Sequence, residues 1–357
     1  MAARPLRALR PPPSRPPSRR REGAGFVTTV LEIDGVSKRF TRDLDIAEKT
    51  ARMLGAKIEP ATVHAVDGVD LSIRRGEVLG LVGESGCGKS TLGRMVAGLM
   101  KPSEGAIRFR GRDLASLRGA DAREAALKVQ LVFQDPMSSL NPRLRVEELV
   151  GEAPRVHGLV SRRETSAYVD EMLQRVGLDP TTRRRFPHQF SGGQRARIGI
   201  ARALAVRPDF IVCDESVAAL DVSIQAQILN LFMRLREELD LTYLFISHDL
   251  GVVEHISDRI AVMYLGRLIE LGEAQDLFRR PNHPYTQALI AEIPTFEPKR
   301  RTYSTIKGEI PSPLAPPPGC HFHPRCPMAM DRCRAERPLL KEIAPGRHSA
   351  CHLNDQG

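Results

Sequence analysis

The sequence predicts an α/β protein built on a largely parallel sheet covered on both faces, and three observations carry that prediction. Four short apolar runs, at residues 78–82, 129–133, 210–213 and 244–246, are β-rich and each ends at a polar or glycine switch. Such runs are the mark of strands buried on both faces. The first run leads directly into Gly83-Glu84-Ser85-Gly86-Cys87-Gly88-Lys89-Ser90-Thr91, and a helix-periodic stretch with Leu92, Met95, Val96 and Leu99 follows. Strand, glycine-rich turn and helix therefore come in succession. Finally, 357 residues at 41% hydrophobic content allow one large domain or two ordinary ones with a substantial core.

Taken in chain order, residues 1–25 hold seven arginines (Arg4, Arg7, Arg10, Arg15, Arg19, Arg20, Arg21) and six prolines with few bulky apolar groups. Such a composition cannot offset the entropy of ordering, so a disordered arm is expected. The arm also explains the net charge of +10. Without its seven arginines the 53 basic residues become 46 against 43 acidic ones, or +3, and a nucleic-acid-binding face loses its support. The prolines forbid the amphipathic helix of a mitochondrial presequence, and an initiation codon assigned too far upstream would account for the same arm. No stretch reaches 18 consecutive apolar residues, so neither a spanning helix nor a secretory signal is expected, and a cytosolic location is.

Alternation begins after the arm, with Leu31 and Ile33 against Glu32 and Asp34, and again with Val69, Leu71 and Ile73 against Asp70, Ser72 and Arg74. These read as two half-buried strands flanking a polar excursion at 41–64. Residues 136–190 carry more charge and a helical pattern, so a helical insertion is expected there. Past Pro281 the chain turns proline-rich before a cysteine cluster, which marks a small C-terminal module. The expected organisation is an arm at 1–25, a main domain at 26–280 with a helical subdomain at 136–190, and a module at 281–357.

The nine-residue loop matches G-x-x-x-x-G-K-[ST] in the strand-to-helix context that a phosphate loop requires. Its glycines let the backbone wrap closely, its N–H groups and helix N-terminus bind β- and γ-phosphates, Lys89 neutralises them, and Ser90 Oγ ligates Mg²⁺. Asp214 and Glu215 end the third apolar run. Alone, an acidic pair there is more often a solvated turn. Beside a phosphate loop, Asp214 is a candidate Mg²⁺ ligand, through water, and Glu215 a candidate general base. Ser191-Gly192-Gly193-Gln194 lies 20 residues before Asp214, counted from Gln194, and opens a helix, which makes a second anion site. One nucleotide does not need two such sites, so this one is expected to complete the site of a second subunit, with two ATP molecules sandwiched in a head-to-tail dimer.

With these residues in view, the chain resembles the nucleotide-binding subunits of ABC transporters over roughly residues 30–351. The resemblance implies a RecA-like core, an antiparallel β subdomain and a helical subdomain. Ser191-Gly192-Gly193-Gln194 is similar to the family signature, Gln134 to the Q-loop glutamine that senses Mg²⁺ and the membrane partner, Asp221 to the D-loop aspartate, and His248 to the switch histidine. Phe40 falls where the family stacks an aromatic on adenine, although a lone Phe there serves equally well as core. Gln134-Asp135-Pro136-Met137-Ser138-Ser139-Leu140-Asn141-Pro142-Arg143 and Pro281-Asn282-His283-Pro284-Tyr285-Thr286 resemble the ATPases of oligopeptide, dipeptide and nickel importers. That implies two permease subunits, a second and usually non-identical ATPase, a solute-binding protein, and a place on the cytoplasmic face of the inner membrane. Import of peptides is the expected function, with nickel or glutathione as alternative solutes. Ser216 stands where the family commonly has Pro.

Four of six cysteines close the chain, spaced Cys320-x5-Cys326-x6-Cys333-x17-Cys351. This is not a zinc-ribbon spacing, and four thiolates serve either Zn²⁺ or a [4Fe–4S] cluster. The subfamily resemblance favours the cluster. His321, His323, His348 and His352 are nearby as substitute ligands, and four unliganded thiols are the plain alternative. Cys87 and Cys213 are expected in the nucleotide site and the core. Other ATPase classes fit less well. A chromosome- or repair-type enzyme needs a long heptad insertion that is absent here, translation-type proteins usually carry two cassettes, and a small-molecule kinase has no use for the signature helix.

Overall fold

The structure is a computed structural model and describes residues 28–42, 45, 48, 50, 54, 60–135, 139–293 and 308–355. The arginine-rich arm, most of the excursion at 41–64 and residues 136–138 lie outside the described residues.

The apolar runs form the centre of one sheet. Strands β3 (Val78–Val82), β6 (Val129–Val132), β7 (Phe210–Asp214), β8 (Thr242–Ile246) and β9 (Arg259–Tyr264) pair in parallel in the order β9-β3-β8-β7-β6. Every residue of β3, β7 and β8 is buried. Period-two alternation divides these strands between two cores. Val78, Val82, Ile211, Cys213, Tyr243 and Phe245 face one, while Leu79, Leu81, Phe210, Val212, Leu244 and Ile246 face the other.

The second core is closed by an antiparallel sheet, order β2-β1-β4-β5, made of β1 (Thr29–Thr41), β2 (Thr62–Arg74), β4 (Glu104–Phe109) and β5 (Arg112–Asp113). Leu31 and Ile33 point inward and Glu32 and Asp34 outward, as the alternation predicts. Helix α1 (Lys89–Val96) sits between the two sheets through Leu92, Met95 and Val96, and α2 (Gly119–Lys128) leads into β6.

The first core takes in the helical segment. Helices α3 (Val146–Val156) and α4 (Thr165–Arg175) bury Val146, Val150, Val169 and Leu173 against α5 (Gly192–Leu204) and α6 (Val222–Leu239). The short helices α7 (Leu250–Ile256), α8 (Ala274–Arg279) and α9 (Pro284–Ala291) follow.

The C-terminal module is more closely integrated than its composition suggests. Strand β10 (Arg267–Glu273) turns back antiparallel on β9, and β12 (Arg347–Ser349) pairs with β10 through Glu270–Ser349 and Leu271–His348. Strand β11 (Lys341–Ala344) completes an eight-stranded sheet. The module is thus an edge of the central sheet, with α10 (Asp331–Ala335) among its turns.

Phe232 of α6 is fully buried and meets Tyr243 and Phe245 edge-on, at centroid distances of 5.6 and 6.1 Å. Phe232→Ala is expected to cost about 3–5 kcal/mol, measured by chemical denaturation.

Candidate nucleotide site

Register decides where the site lies. Val82 is level with Val262, Leu81 and Asp214 with Ile246, and Val132 with Cys213. The residues that follow β3, β6, β7 and β8 therefore emerge along one carboxyl edge, where open α/β sheets bind ligands.

The phosphate loop leaves that edge in a conformation only glycine allows at two positions. Gly83 has φ +152° and Gly88 φ +107°; a Cβ would lie 2.1 Å from the Met263 carbonyl oxygen at the first and 2.1 Å from the Ala65 carbonyl oxygen at the second. The loop is therefore pressed against β9 on one side and β2 on the other. Lys89 is buried, and its Nζ donates to the carbonyls of Gly83 (2.7 Å) and Glu84 (2.9 Å). This ammonium spans the mouth of the loop, next to where a phosphate belongs. Cys87 is buried against it, and burial pushes its thiol above the usual range. Ser85, Gly86 and Thr91 complete the turn and the start of α1.

Glu84 departs from the sequence reading. Its carboxylate turns away from the mouth of the loop into a two-pronged ion pair with Arg325, at 2.8 and 2.9 Å. Its share in the loop is its backbone.

Ser90 Oγ donates to Asp214 Oδ1 at 2.7 Å, so the hydroxyl and carboxylate expected to hold Mg²⁺ are adjacent. Asp214 is 3% exposed, and burial raises its carboxyl above the ordinary range despite the Ser90 bond. A carboxylate desolvated in this way is a fitting partner for a divalent cation.

Glu215 has φ +44°, unusual for a side-chain-bearing residue, and its N–H donates to the Ile246 carbonyl (3.0 Å). That twist, costing about 1–2 kcal/mol, keeps the carboxylate at the sheet edge. Gln134 Nε2 donates to Glu215 Oε2 at 2.7 Å, and His248 Nδ1 lies 3.3 Å from the same oxygen. Two residues from two different strand ends thus converge on the carboxylate that a third strand end presents.

Residues 191–194 spend their bonds locally. Ser191 Oγ accepts the Gln194 N–H (3.3 Å) and Gln194 Oε1 accepts the Ser191 N–H (3.0 Å), a reciprocal cap on α5. Ser191, Gly192 and Gln194 remain exposed, while Gly193 is buried. Asp221 caps α6 by accepting the Ile224 N–H at 3.0 Å. Phe40 is 41% exposed, with Lys38 Nζ 5.3 Å over its ring, and it pairs in register with Val63 two residues before Ala65. It is available as a stacking surface rather than spent as core.

Cys320, Cys326, Cys333 and Cys351 line one small cavity with His323 and His352, and none is in a disulfide. His321 and His348, expected as substitute ligands, line a different cavity instead, because His321 Nδ1 is turned to the Leu265 carbonyl (3.0 Å). Burial and the neighbouring thiols push Cys320 up to about 11. Among the described residues no three His, Cys, Asp or Glu side chains are gathered to hold one metal ion. Four ligands of a single zinc would all stand about 2.3 Å from one point; a cubane cluster, with an iron at each of four corners, holds its thiolates farther apart. The four thiols share this cavity, but no three of the described side chains are gathered around one ion.

Asp214→Asn keeps an acceptor for Ser90 and removes a buried charge. The acid's pKa is raised in the fold, so its folding contribution is favourable at low pH and is lost as pH rises through that value. The variant is therefore expected to raise the melting temperature of nucleotide-free protein at pH 7, with the gain shrinking on acidification, while Mg²⁺-dependent turnover falls at least about tenfold.

Comparison with known proteins agrees with this geometry. Residues 66–218 match the ABC transporter family model, and residues 269–333 match the oligopeptide/dipeptide transporter C-terminal region. The chain is 53% identical over 296 residues to the putative oligopeptide transport ATP-binding protein YkfD of Bacillus subtilis, covering 82% of this chain and 90% of that one. It is 49% identical to the oligopeptide transport ATP-binding protein AppF of the same organism, covering 91% and 97%. Among solved structures, the cassette MJ0796 with ADP and Pi aligns at TM-score 0.58 and 29% identity over 68% of this chain and 98% of that one. CbiO1 of Clostridium perfringens aligns at 0.58 and 27% over 71% and 91%. With a phosphate loop, an acidic strand end and a signature helix on an eight-stranded sheet, and with relatives at this identity over nine-tenths of their length, the chain belongs to the ATP-binding subunits of ABC transporters, in the oligopeptide/dipeptide branch.

Proposed function

We propose that this chain is the ATP-hydrolysing subunit of a peptide importer, and one observation carries the reading: Gln134 and His248 meet on a single oxygen of Glu215, beside the phosphate loop. Glu215 accepts a proton from the attacking water as the new oxygen bond to the γ-phosphorus forms and the bond to ADP breaks. His248 and Gln134 orient that carboxylate, and Lys89 with the loop amides stabilises the charge that accumulates on the phosphoryl oxygens. Ser90 and Asp214, with Gln134, would hold Mg²⁺, which would supply neutralisation of phosphate charge. Phe40 stacks on the adenine.

Residues 191–194, of which Ser191, Gly192 and Gln194 are exposed, and Asp221 serve a second ATPase subunit, related to this one or identical with it, so that each nucleotide is enclosed between two chains. Among the described residues no helix is long and apolar enough to cross a membrane. As in the family it belongs to, the chain works at the cytoplasmic face of the membrane against two permease subunits, fed by a solute-binding protein, and the exposed surface beside Gln134 and Phe133 is where the permease is engaged. Cys320, Cys326, Cys333 and Cys351, which line one cavity, would hold a [4Fe–4S] cluster.

Glu215→Gln is expected to bind ATP normally and to hydrolyse it at least about tenfold more slowly, roughly 1.4 kcal/mol of barrier; an unchanged steady-state rate in the purified complex would contradict the assignment. Anaerobically purified protein is expected to contain iron and to absorb at about 400 nm. Stoichiometric zinc without iron would refute the cluster.

A further inference from the structure

The phosphate loop is gripped from outside by the C-terminal module, and the grip centres on Glu84. Arg325 ends a 3-10 turn (His323–Arg325) and is 9% exposed. Its Nη1 and Nη2 donate to Glu84 Oε2 and Oε1 at 2.8 and 2.9 Å, and Nη1 also reaches Tyr264 Oη at 3.4 Å. From α9, the fully buried Tyr285 accepts the Glu84 backbone N–H on its hydroxyl at 2.9 Å. Side chain and backbone of one loop residue are thus held separately, by residues 201 and 241 positions away. The anchors share one support, since Tyr264, Tyr285 and Phe322 pack ring on ring at 4.7, 5.3 and 5.4 Å.

A second contact reinforces the first. Gly266 N–H donates to the Cys87 carbonyl at 2.9 Å, so the β9–β10 turn carries the middle of the loop. That turn is fixed in its own right, because His321 Nδ1–H donates to the Leu265 carbonyl and Arg267 Nη1 donates to the Gly319 carbonyl, both at 3.0 Å.

Charge gives these contacts a consequence for substrate. An unpaired carboxylate in the phosphate loop would repel a triphosphate, and the low-dielectric surroundings would strengthen that repulsion. Arg325 cancels it. A guanidinium suits the task because two parallel hydrogen bonds fix orientation as well as charge. We infer that Arg325 and Tyr285 are positioning residues of the nucleotide site, through which the C-terminal module sets the affinity for ATP. The inference rests on the loop binding ATP but not on Glu215 acting as base or on the transported solute.

The test measures the Kd of a fluorescent ATP analogue with Mg²⁺, together with steady-state kinetics and thermal melting, on the full chain and its variants. Arg325→Met is expected to weaken binding at least about tenfold and to raise KM while changing kcat less than about threefold. Adding Glu84→Gln to that variant removes the stranded charge and is expected to bring Kd back to within about threefold of wild type. Tyr285→Phe is expected to weaken binding by about three- to tenfold. Folded Arg325→Met with the wild-type Kd overturns the inference, as does a double variant no better than Arg325→Met alone. If Arg325→Met does not fold, wild-type affinity in Tyr285→Phe overturns it. Binding that fails in the wild-type chain would refute the nucleotide site itself.

Discussion

The structure depends on a loop that has almost no freedom of its own. Nine residues leave the end of β3 and enter α1 with Gly83 and Gly88 in left-handed backbone, each touching a carbonyl oxygen that a Cβ would strike. The course of the loop is fixed because the chain is wedged between β2 and β9 and tied to the β9–β10 turn. A binding surface made from backbone N–H groups is only as precise as the supports behind it. Here the supports come from the antiparallel sheet, the parallel sheet and the C-terminal module together.

The groups proposed for hydrolysis follow from the same architecture. Parallel pairing levels the ends of β6, β7 and β8 with β3, so Gln134, Glu215 and His248 arrive beside the loop without any of them being near it in sequence. The positive φ of Glu215 is a strained point at the sheet edge, and the bond from its N–H to Ile246 offsets part of that cost. Asp214 shows the complementary arrangement, a buried carboxylate whose desolvation favours a proton or a cation. Ser191 and Gln194 close a reciprocal helix cap while Ser191, Gly192 and Gln194 stay exposed.

The central strands and their loop were readable because burial on both faces writes itself as short apolar runs, and because a phosphate loop constrains residue type at several spaced positions. Asp214, Glu215, Ser191 and Gln194 were readable for a related reason, each having a required place relative to a strand end or a helix start. Two features were opaque. Strands β11 and β12 are short and partly exposed, so no period marked the module as part of the sheet, and its prolines and cysteines suggested separation. Arg325 carries no motif, and its partner Glu84 is 241 positions away; pattern reasoning assigned Glu84 to the nucleotide because its neighbours in the loop are. Tyr285 lay in a stretch that pointed to the subfamily, but nothing in the sequence gave its hydroxyl a partner.

The most direct test is a crystal structure of the chain with a non-hydrolysable ATP analogue and Mg²⁺. The account predicts the triphosphate within the turn of residues 83–91, Lys89 Nζ released from the Gly83 and Glu84 carbonyls to meet it, the metal beside Ser90 Oγ, and the Arg325–Glu84 pair intact behind the loop. A nucleotide bound elsewhere, or a loop that binds only after the Arg325–Glu84 pair has broken, would contradict it.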